Sequence, residues 1–181
     1  MRIVSGKARG RKLKEISGNA IMPTSDLVKE SVFNIIQFDV EGRGVLDLFA
    51  GTGQLGIEAL SRGAKSVEFV DSNPAAIKII KDNLVLCGFS DAAAVHMRDA
   101  IKYLQSKGAF DLIFIDPPYD SQLLAEAMAS IVKFDKLNHN GIIICETSVD
   151  KATPIVSPPY CLHKEYRYGG VKVIRYDRKS L

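Results

Sequence analysis

A glycine-rich segment between an apolar run and a helical pattern most constrains how this chain can fold. Residues 45–49 predict a buried strand and residues 55–61 a helix. Between them Gly51, Gly53 and Gly56 fit the spacing G-x-G-x-x-G, and Asp71 ends the next predicted strand, 20 residues after Gly51. This spacing is typical of a cofactor-binding turn at the carboxyl edge of a parallel sheet. We call residues 47–56 the glycine segment.

The rest of the chain continues the alternation of strands and helices. After the glycine segment, strands are predicted at 66–71, 92–97, 110–116 and 142–146, and helices at 74–86, 100–105 and 123–132. Near the end, two further strands at 162–166 and 171–176 flank Gly169-Gly170, which is a hairpin signal. The pattern predicts an α/β fold with a Rossmann-like, doubly wound, mostly parallel sheet that ends in an antiparallel hairpin.

Four residues after the apolar run 112–115 carry the chemistry: Asp116, Pro117, Pro118 and Tyr119. Pro117 has a fixed φ, and Pro118 restricts it further to extended geometry, so the Pro117 carbonyl has a preset direction. Asp116 and that carbonyl can accept both hydrogens of one –NH2 group, while Tyr119 stacks on a flat base, worth roughly 1–3 kcal/mol. The structural alternative is a strand that ends in a Pro-Pro turn with a surface tyrosine.

Two features favour S-adenosylmethionine over NAD as the cofactor. Asp47 is well placed for a cationic amino group, which NAD lacks, and Asp116 is expected one sheet position away, beside the transferable methyl. Asp71 would accept from the ribose hydroxyls and Asp99 from the adenine amine. Each has a structural alternative: Asp47 as a cap under the loop, Asp71 as a solvated strand end, and Asp99 as a helix N-cap. The predicted cofactor-binding residues are Asp47, Phe49, Ala50, Gly51, Gly53, Gly56, Asp71 and Asp99.

Charge is distributed unevenly along the chain. The net charge is only +3, but six basic residues precede the first acidic residue, Glu15. We therefore predict a basic N-terminal arm over residues 1–21 that contacts phosphates, followed by a catalytic domain over 22–181; a merely solvated ribbon is the alternative. Lys29 is expected on the exposed face of the first helix, which Thr24 or Ser25 would cap. Predicted substrate contacts are Arg2, Lys7, Arg9, Arg11, Lys12 and Pro118.

Composition limits the remaining classes of protein. A chain of 181 residues suits a single catalytic domain with a sizeable core. Its three cysteines and three histidines lack the spacing of metal ligands, so no metal site is expected. No apolar stretch is long enough to span a bilayer, and the start does not read as a signal peptide. We expect a cytoplasmic protein.

The catalytic and cofactor segments together resemble class I S-adenosylmethionine-dependent methyltransferases that act on exocyclic amines. Residues 2–7, 10–13, 23–26 and 29–34 narrow the resemblance to the RsmD family, and it covers essentially the whole chain. This resemblance implies methylation of a guanine N2 amine in bacterial small-subunit (16S) rRNA, within the small ribosomal subunit or an assembly intermediate. Since no amphipathic stretch of the sequence is left over, we expect a monomer.

Three other functions remain open at this stage. An adenine-N6 RNA or DNA methyltransferase would use the same catalytic residues. An NAD-dependent oxidoreductase would explain the glycine segment but not residues 116–119. A non-catalytic RNA-binding module would keep the fold without turnover.

Overall fold

The computed structural model describes residues 1–15, 26–118 and 122–179. Within these ranges it shows one seven-stranded sheet and five α-helices. The strands are β1 Gly44–Leu48, β2 Ser66–Asp71, β3 Ala93–Met97, β4 Phe110–Ile115, β5 Leu137–Ser148, β6 Tyr160–Tyr168 and β7 Val171–Arg178. The helices are α1 Asp26–Ile35, α2 Gln54–Ser61, α3 Pro74–Cys87, α4 Ala100–Tyr103 and α5 Leu123–Lys133, with a 3-10 turn at Ser90–Ala92.

The strand order is β3-β2-β1-β4-β5-β7-β6, and β1 to β5 run parallel. Strand β7 pairs antiparallel with both β5 and β6, and Gly169 in the connecting turn has a φ of 60°. The predicted fold class, including the antiparallel hairpin, is therefore confirmed. The chain moves outward from β1 to β3 and then returns to β4 on the other side of β1. The order thus reverses between β1 and β4, which is where ligands bind in sheets of this kind.

Each face of the sheet is covered by its own layer. One face packs against α1, α2, α3 and residues 1–15, and we call it the ribbon face. The other face packs against α4 and α5. Side chains alternate between the faces along each strand: Leu112 and Phe114 of β4 lie on the ribbon face, whereas Ile113 and Ile115 lie on the other.

Helix α3 begins and ends where its flanking residues favour it. The Asn73 side chain accepts a hydrogen bond from the Ala75 N–H at 2.8 Å, and Pro74 occupies the first turn, where no N–H is needed. Gly88 ends the helix with a φ of 75°, a conformation that glycine adopts without steric cost. This defined start sets the position of α3 directly after the carboxyl end of β2.

Residues 1–15 form a docked ribbon, which we call the N-terminal ribbon. Its two halves are joined by hydrogen bonds such as Ile3 N–H to the Arg11 carbonyl, 3.0 Å, and by a bridge between Arg2 and Lys12. Ile3, Ala8 and Leu13 are buried in the core of the ribbon face. The predicted boundary between residues 21 and 22 lies outside the described residues, as do Thr24 and Ser25.

Several predicted elements end one or two residues away from their observed bounds, and three differences bear on the site or its surroundings. Strand β5 begins at Leu137 rather than near residue 142, because a polar stretch with Asn140 at a φ of 59° hides its first half in the sequence. Strand β1 ends at Leu48, so Phe49 belongs to the turn that follows. Lys29 is fully buried, not exposed.

Candidate cofactor and substrate site

The glycine segment turns sharply away from the end of β1. Phe49, Gly51 and Gly53 have φ values of 68°, 55° and 77°, and the Ala50 N–H donates to the Val70 carbonyl at 3.0 Å. A bulky residue such as Phe49 rarely adopts positive φ, and such outliers cluster at functional sites. A Cβ added at Gly51 would meet no heavy atom within 4 Å. The backbone here therefore borders open space that a ligand can occupy.

Gly56 serves packing rather than the turn. A Cβ at this position would lie 2.3 Å from Phe69 Cε1 and 2.9 Å from Val67 Cγ1. Helix α2 can approach β2 this closely only because residue 56 has no side chain. The third glycine of the predicted motif thus holds the first turn of α2 against the sheet.

Asp47 lies beneath the glycine segment, with 2% of its surface exposed. Its Oδ2 accepts a hydrogen bond from the Gly56 N–H at 2.9 Å. Burial raises the pKa of this carboxyl to about 7, although the Gly56 hydrogen bond opposes the shift; the neighbouring Asp71 charge adds to it. The contact is the loop-capping role named as the alternative. It also makes Asp47 a buried acid that a nearby cation would readily ionise.

Asp71 faces the same turn from the end of β2. Its Oδ2 accepts from the Gly51 N–H and its Oδ1 from the Asn73 N–H, both at 2.8 Å. The side chain is only partly buried, and each carboxylate oxygen has a further lone pair for a ligand hydroxyl. Asp99 is exposed and caps α4 by accepting from the Lys102 N–H at 2.9 Å. Both acids lie at the carboxyl edge of the sheet, on neighbouring strand ends.

The predicted catalytic segment lies next to the glycine segment. Leu48 of β1 pairs with Ile115 of β4, so the residues that follow, Phe49 and Asp116, leave the sheet side by side. Asp116 is partly buried, Pro117 is buried and Pro118 is exposed. Tyr119 lies outside the described residues. The fold thus joins the β1 and β4 ends that the sequence separates by more than sixty positions.

Gln54 is a polar residue that the sequence reasoning passed over. It begins α2 within the glycine segment and is 7% exposed, and its Oε1 has no hydrogen-bond partner among the described residues. A polar side chain at the first position of α2, inside the glycine segment, was the available signal. The site therefore combines the unpaired Gln54 acceptor, a backbone that borders open space at Gly51, and the acids Asp71 and Asp99 at strand ends. These groups fit the polar groups of S-adenosylmethionine.

The N-terminal ribbon is fastened to α2 by side chains that sequence reasoning also missed. Glu58 is fully buried, and its carboxylate accepts from the Val4 N–H at 2.8 Å, the Ser5 N–H at 2.9 Å and Arg62 Nε at 2.8 Å. Lys29 donates to the Arg2 carbonyl and lies 4.0 Å from Glu58. Burial lowers the pKa of the Lys29 amine, while Glu58 and Asp26 act in the opposite direction.

Asn83 connects the ribbon to the glycine segment. This fully buried residue of α3 accepts from the Lys14 N–H at 2.8 Å and donates to the carbonyls of Lys14 and Thr52, both at 3.1 Å. One amide side chain therefore fixes the end of the ribbon and the turn that borders the cofactor space. Its signal in the sequence, an asparagine on an otherwise apolar stripe of a helix, is weak.

The basic residues of the ribbon differ in their surroundings. Arg11 donates to the Leu86 carbonyl at 2.8 Å, and Lys14 pairs with Asp82 at 2.9 Å. The remaining predicted contacts are likewise exposed: Arg2, Lys7, Arg9 and Lys12. Since the ribbon contacts Thr52 at one end and Ser61 at its turn, it follows the eight-residue α2, a span of roughly 10 Å.

A metal-binding cluster and a membrane-spanning helix are both absent from the described ranges. These ranges contain no group of three or more His, Cys, Asp or Glu side chains arranged to hold a metal ion. None of their helices is long and apolar enough to cross a membrane. Cys87, Cys145 and Cys161 are free thiols.

Comparison with known proteins relates this chain to methyltransferases. Residues 1–177 match the family described as conserved hypothetical protein 95. Similar curated proteins include "Putative rRNA methyltransferase YlbH" of Bacillus subtilis, 37% identical over 99% of this chain and 100% of the relative. "Ribosomal RNA small subunit methyltransferase D" of Haemophilus influenzae is 35% identical over 98% and 93%. The solved structure "Putative methyltransferase yhhF from Escherichia coli" has a TM-score of 0.90 and 32% identity, covering 99% of this chain and 98% of that one.

Proposed function

Because this chain belongs to the family of conserved hypothetical protein 95, to which the RsmD-type methyltransferases belong, we propose that it methylates small-subunit rRNA. The reaction is transfer of a methyl group from S-adenosylmethionine to the exocyclic N2 amine of a guanine in 16S rRNA. The substrate is the small ribosomal subunit or an assembly intermediate, and the enzyme acts as a monomer in the cytoplasm.

The placement of Asp116 beside the glycine segment carries this proposal. The pairing of Leu48 with Ile115 brings Asp116 and the glycine segment to the point where the strand order reverses, which supports the roles of amine acceptor and cofactor turn that we propose for them. An oxidoreductase would need no paired acceptors for an –NH2 group at this position. A non-catalytic binding module would not need paired acceptors for an –NH2 group either.

Asp47, Asp71 and the backbone of residues 49–53 would hold the cofactor. When bound, S-adenosylmethionine supplies an electrophilic methyl on its sulfonium. The buried Asp47 carboxyl would ionise against a cationic amino group, and Asp71 would accept from ribose hydroxyls. Asp99, at the next strand end, would accept from the adenine amine.

Asp116 and the Pro117 carbonyl act on the nucleophile. The N2 lone pair of guanine is delocalised into the ring, so the amine is a weak nucleophile. Accepting both N–H hydrogens favours a pyramidal nitrogen with its lone pair available for reaction. As positive charge develops on the nitrogen, the nearby Asp116 carboxylate stabilises it and can then take the proton, directly or through water.

The N-terminal ribbon supplies the RNA contacts. The exposed side chains of Arg2 and Lys12 lie toward the end of the ribbon that contacts Thr52, and those of Lys7 and Arg9 lie at its turn near Ser61, so together they follow α2 away from the catalytic edge, which suits a phosphate backbone. The buried carboxylate of Glu58 and the amide of Asn83 hold this charged surface in a fixed position relative to the cofactor space. The target base itself must be unpaired or flipped out to reach Asp116.

Transfer of a labelled methyl tests the reaction. The protein is incubated with labelled S-adenosylmethionine and small subunits that lack the modification, with naked 16S rRNA in parallel, and the digested nucleosides are identified by mass spectrometry. We expect N2-methylguanosine. Label on adenosine would refute the guanine reaction and support the adenine-N6 methyltransferase alternative. No label despite cofactor binding would refute the catalytic proposal.

Asp116→Ala tests the role of the catalytic carboxylate. We expect turnover to be lost and cofactor affinity to stay nearly unchanged, because Asp116 acts on the amine and not on the cofactor. Asp91→Ala removes an exposed acid from the 3-10 turn and serves as the matched control. Turnover at the wild-type rate in Asp116→Ala would rule out the mechanism.

Salt dependence tests the ribbon contacts. The double variant R9A/K12A should reduce the slope of log affinity against log salt by about 1.4–1.8, that is 0.7–0.9 for each phosphate contact. Lys107→Ala removes an exposed cation from the turn between α4 and β4, outside the N-terminal ribbon, and should leave the slope unchanged. An unaltered slope in the double variant would remove these two residues from the RNA interface.

A further inference from the structure

The carboxyl end of β5 carries a buried glutamate beside Asp116. Ile115 of β4 pairs with Cys145 of β5, so the residues that directly follow them along these two neighbouring segments are Asp116 and Glu146. Adjacent strands lie about 4.8 Å apart. Glu146 is therefore the neighbour of Asp116 on the side away from the glycine segment, since β4 lies between β1 and β5.

Both acids are on the same side of the sheet. Ile144 of β5 lies in the core of the ribbon face and Cys145 in the other core, so alternation directs Glu146 to the ribbon face. On β4, Phe114 likewise lies in the core of the ribbon face and Ile115 in the other core, so alternation directs residue 116 to the ribbon face. Asp116 precedes a proline and thus stays extended, which places its side chain on the ribbon face too.

Packing alone does not account for a carboxylate at this position. The nearest residues that share its face on β5 and β7, Ile142, Ile144 and Val173, are apolar and buried. Glu146 is 3% exposed. Taking a carboxylate this far out of water is costly unless it accepts hydrogen bonds, and its two oxygens have lone pairs for several, including one from a ligand.

The hydrogen-bonding edge of guanine matches this arrangement. Guanine presents the N1–H donor directly beside its N2 amine, whereas adenine has a lone pair at N1. In the proposed reaction the guanine amine lies at Asp116, directly after β4, and the cofactor lies on the β1 side of β4. The N1–H of the base can therefore approach only the strand on the other side, which is β5. We propose that Glu146 is the specificity-determining residue of this enzyme and accepts the guanine N1–H, an inference that rests on the proposed function.

The same carboxylate would reject the wrong base. In a purine with a lone pair at N1, that acceptor would point at the Glu146 carboxylate, which is also an acceptor. Glu146 is 3% exposed, so little water can come between them. Such a mismatch leaves two buried polar groups unpaired, which is how a site built for hydrogen bonding excludes an analogue. Glu146 thus separates guanine from purines that carry an amine but no N1–H.

A base analogue in the target position tests the proposal. Small subunits are reconstituted from 16S rRNA that carries either guanine or 2-aminopurine at the target; the analogue keeps the N2 amine but lacks the N1–H. The rate of labelled methyl transfer to each is measured for the wild type and for Glu146→Gln. The wild type should prefer guanine by tenfold or more. In Glu146→Gln this preference should fall by roughly 5- to 150-fold, the range for hydrogen-bonded base discrimination, because the glutamine amide can donate to the N1 lone pair.

Controls separate this inference from a structural role and from the proposed function. Glu165→Gln makes the same change on β6, opposite Ile174 of the other core, and should keep the wild-type preference. A slower Glu146→Gln enzyme with an unchanged preference would refute the inference and leave the proposed function intact. Equal wild-type rates on both bases would refute it even if Glu146→Gln did not fold. Absence of wild-type transfer to guanine would overturn both.

Discussion

Replacing Gly6 by alanine should detach the N-terminal ribbon from α2. A Cβ on Gly6 would lie 1.8 Å from the carbonyl oxygen of Ser61, and a backbone oxygen within a helix cannot move aside. The ribbon would have to shift outward. Gly10 provides a matched control within the same ribbon, because its φ is 83° against 81° for Gly6, yet a Cβ there meets nothing within 4 Å.

The structure sets the size of the effect. Both substitutions place an L-residue at positive φ, which costs roughly 1–2 kcal/mol. The outward shift in Gly6→Ala would also disrupt five hydrogen bonds, which join residues 4, 5, 7 and 8 to Glu58 and Ser61. At about 1 kcal/mol each, their loss would add up to about 5 kcal/mol. We therefore expect Gly6→Ala to destabilise the fold by about 3 kcal/mol or more beyond Gly10→Ala.

Thermal and urea unfolding measure the difference. For a chain of this size 1 kcal/mol corresponds to roughly 2–4 °C in Tm, so the two variants should differ by about 6 °C or more. Hydrogen exchange at residues 3–13 should accelerate in Gly6→Ala and not in Gly10→Ala. Equal Tm values for the two variants would show that the contact with Ser61 does not anchor the ribbon.

Three further changes give distinct results. Asp47→Asn keeps an acceptor for the Gly56 N–H but removes an acid whose pKa in the folded state, about 7, exceeds its value in the unfolded state. Because the folded state binds the extra proton between about pH 4 and 7, wild-type stability should fall as the pH rises through that range. The variant should lose this pH dependence in urea unfolding. Gly56→Ala should cost about 1–3 kcal/mol in the same assay, because the added methyl overlaps Phe69, and weaken cofactor binding by calorimetry. Asn83→Ala leaves three partly buried backbone groups, two of Lys14 and one of Thr52, without this partner, so a loss of about 1–3 kcal/mol and weaker cofactor binding are expected. Unchanged cofactor binding would show that this amide does not position the turn of the glycine segment.

Much of the fold follows from short-range patterns in the sequence. The spacing of Gly51, Gly53 and Gly56 after an apolar run, followed by Asp71, predicts a strand, a turn and a helix in a parallel sheet, and the structure confirms them. Gly169-Gly170 predicts the final hairpin for the same reason, since a tight turn depends on a few adjacent residues. Polar interruptions defeat this reasoning, which is why the first half of β5 was missed.

The tertiary structure decided which distant residues meet. Lys29 has the local pattern of an exposed helical residue, yet it is buried because the ribbon and Glu58 close over it. Asn83 and Glu58 give no clear signal in the sequence, because the backbone groups that they bind belong to residues 31 to 69 positions away. The proximity of Glu146 to Asp116 likewise depends on strand order and register. The sequence by itself determined the chemical groups and their local turns, whereas the packing of the sheet determined their neighbours, because register and burial arise only when separate segments share one core.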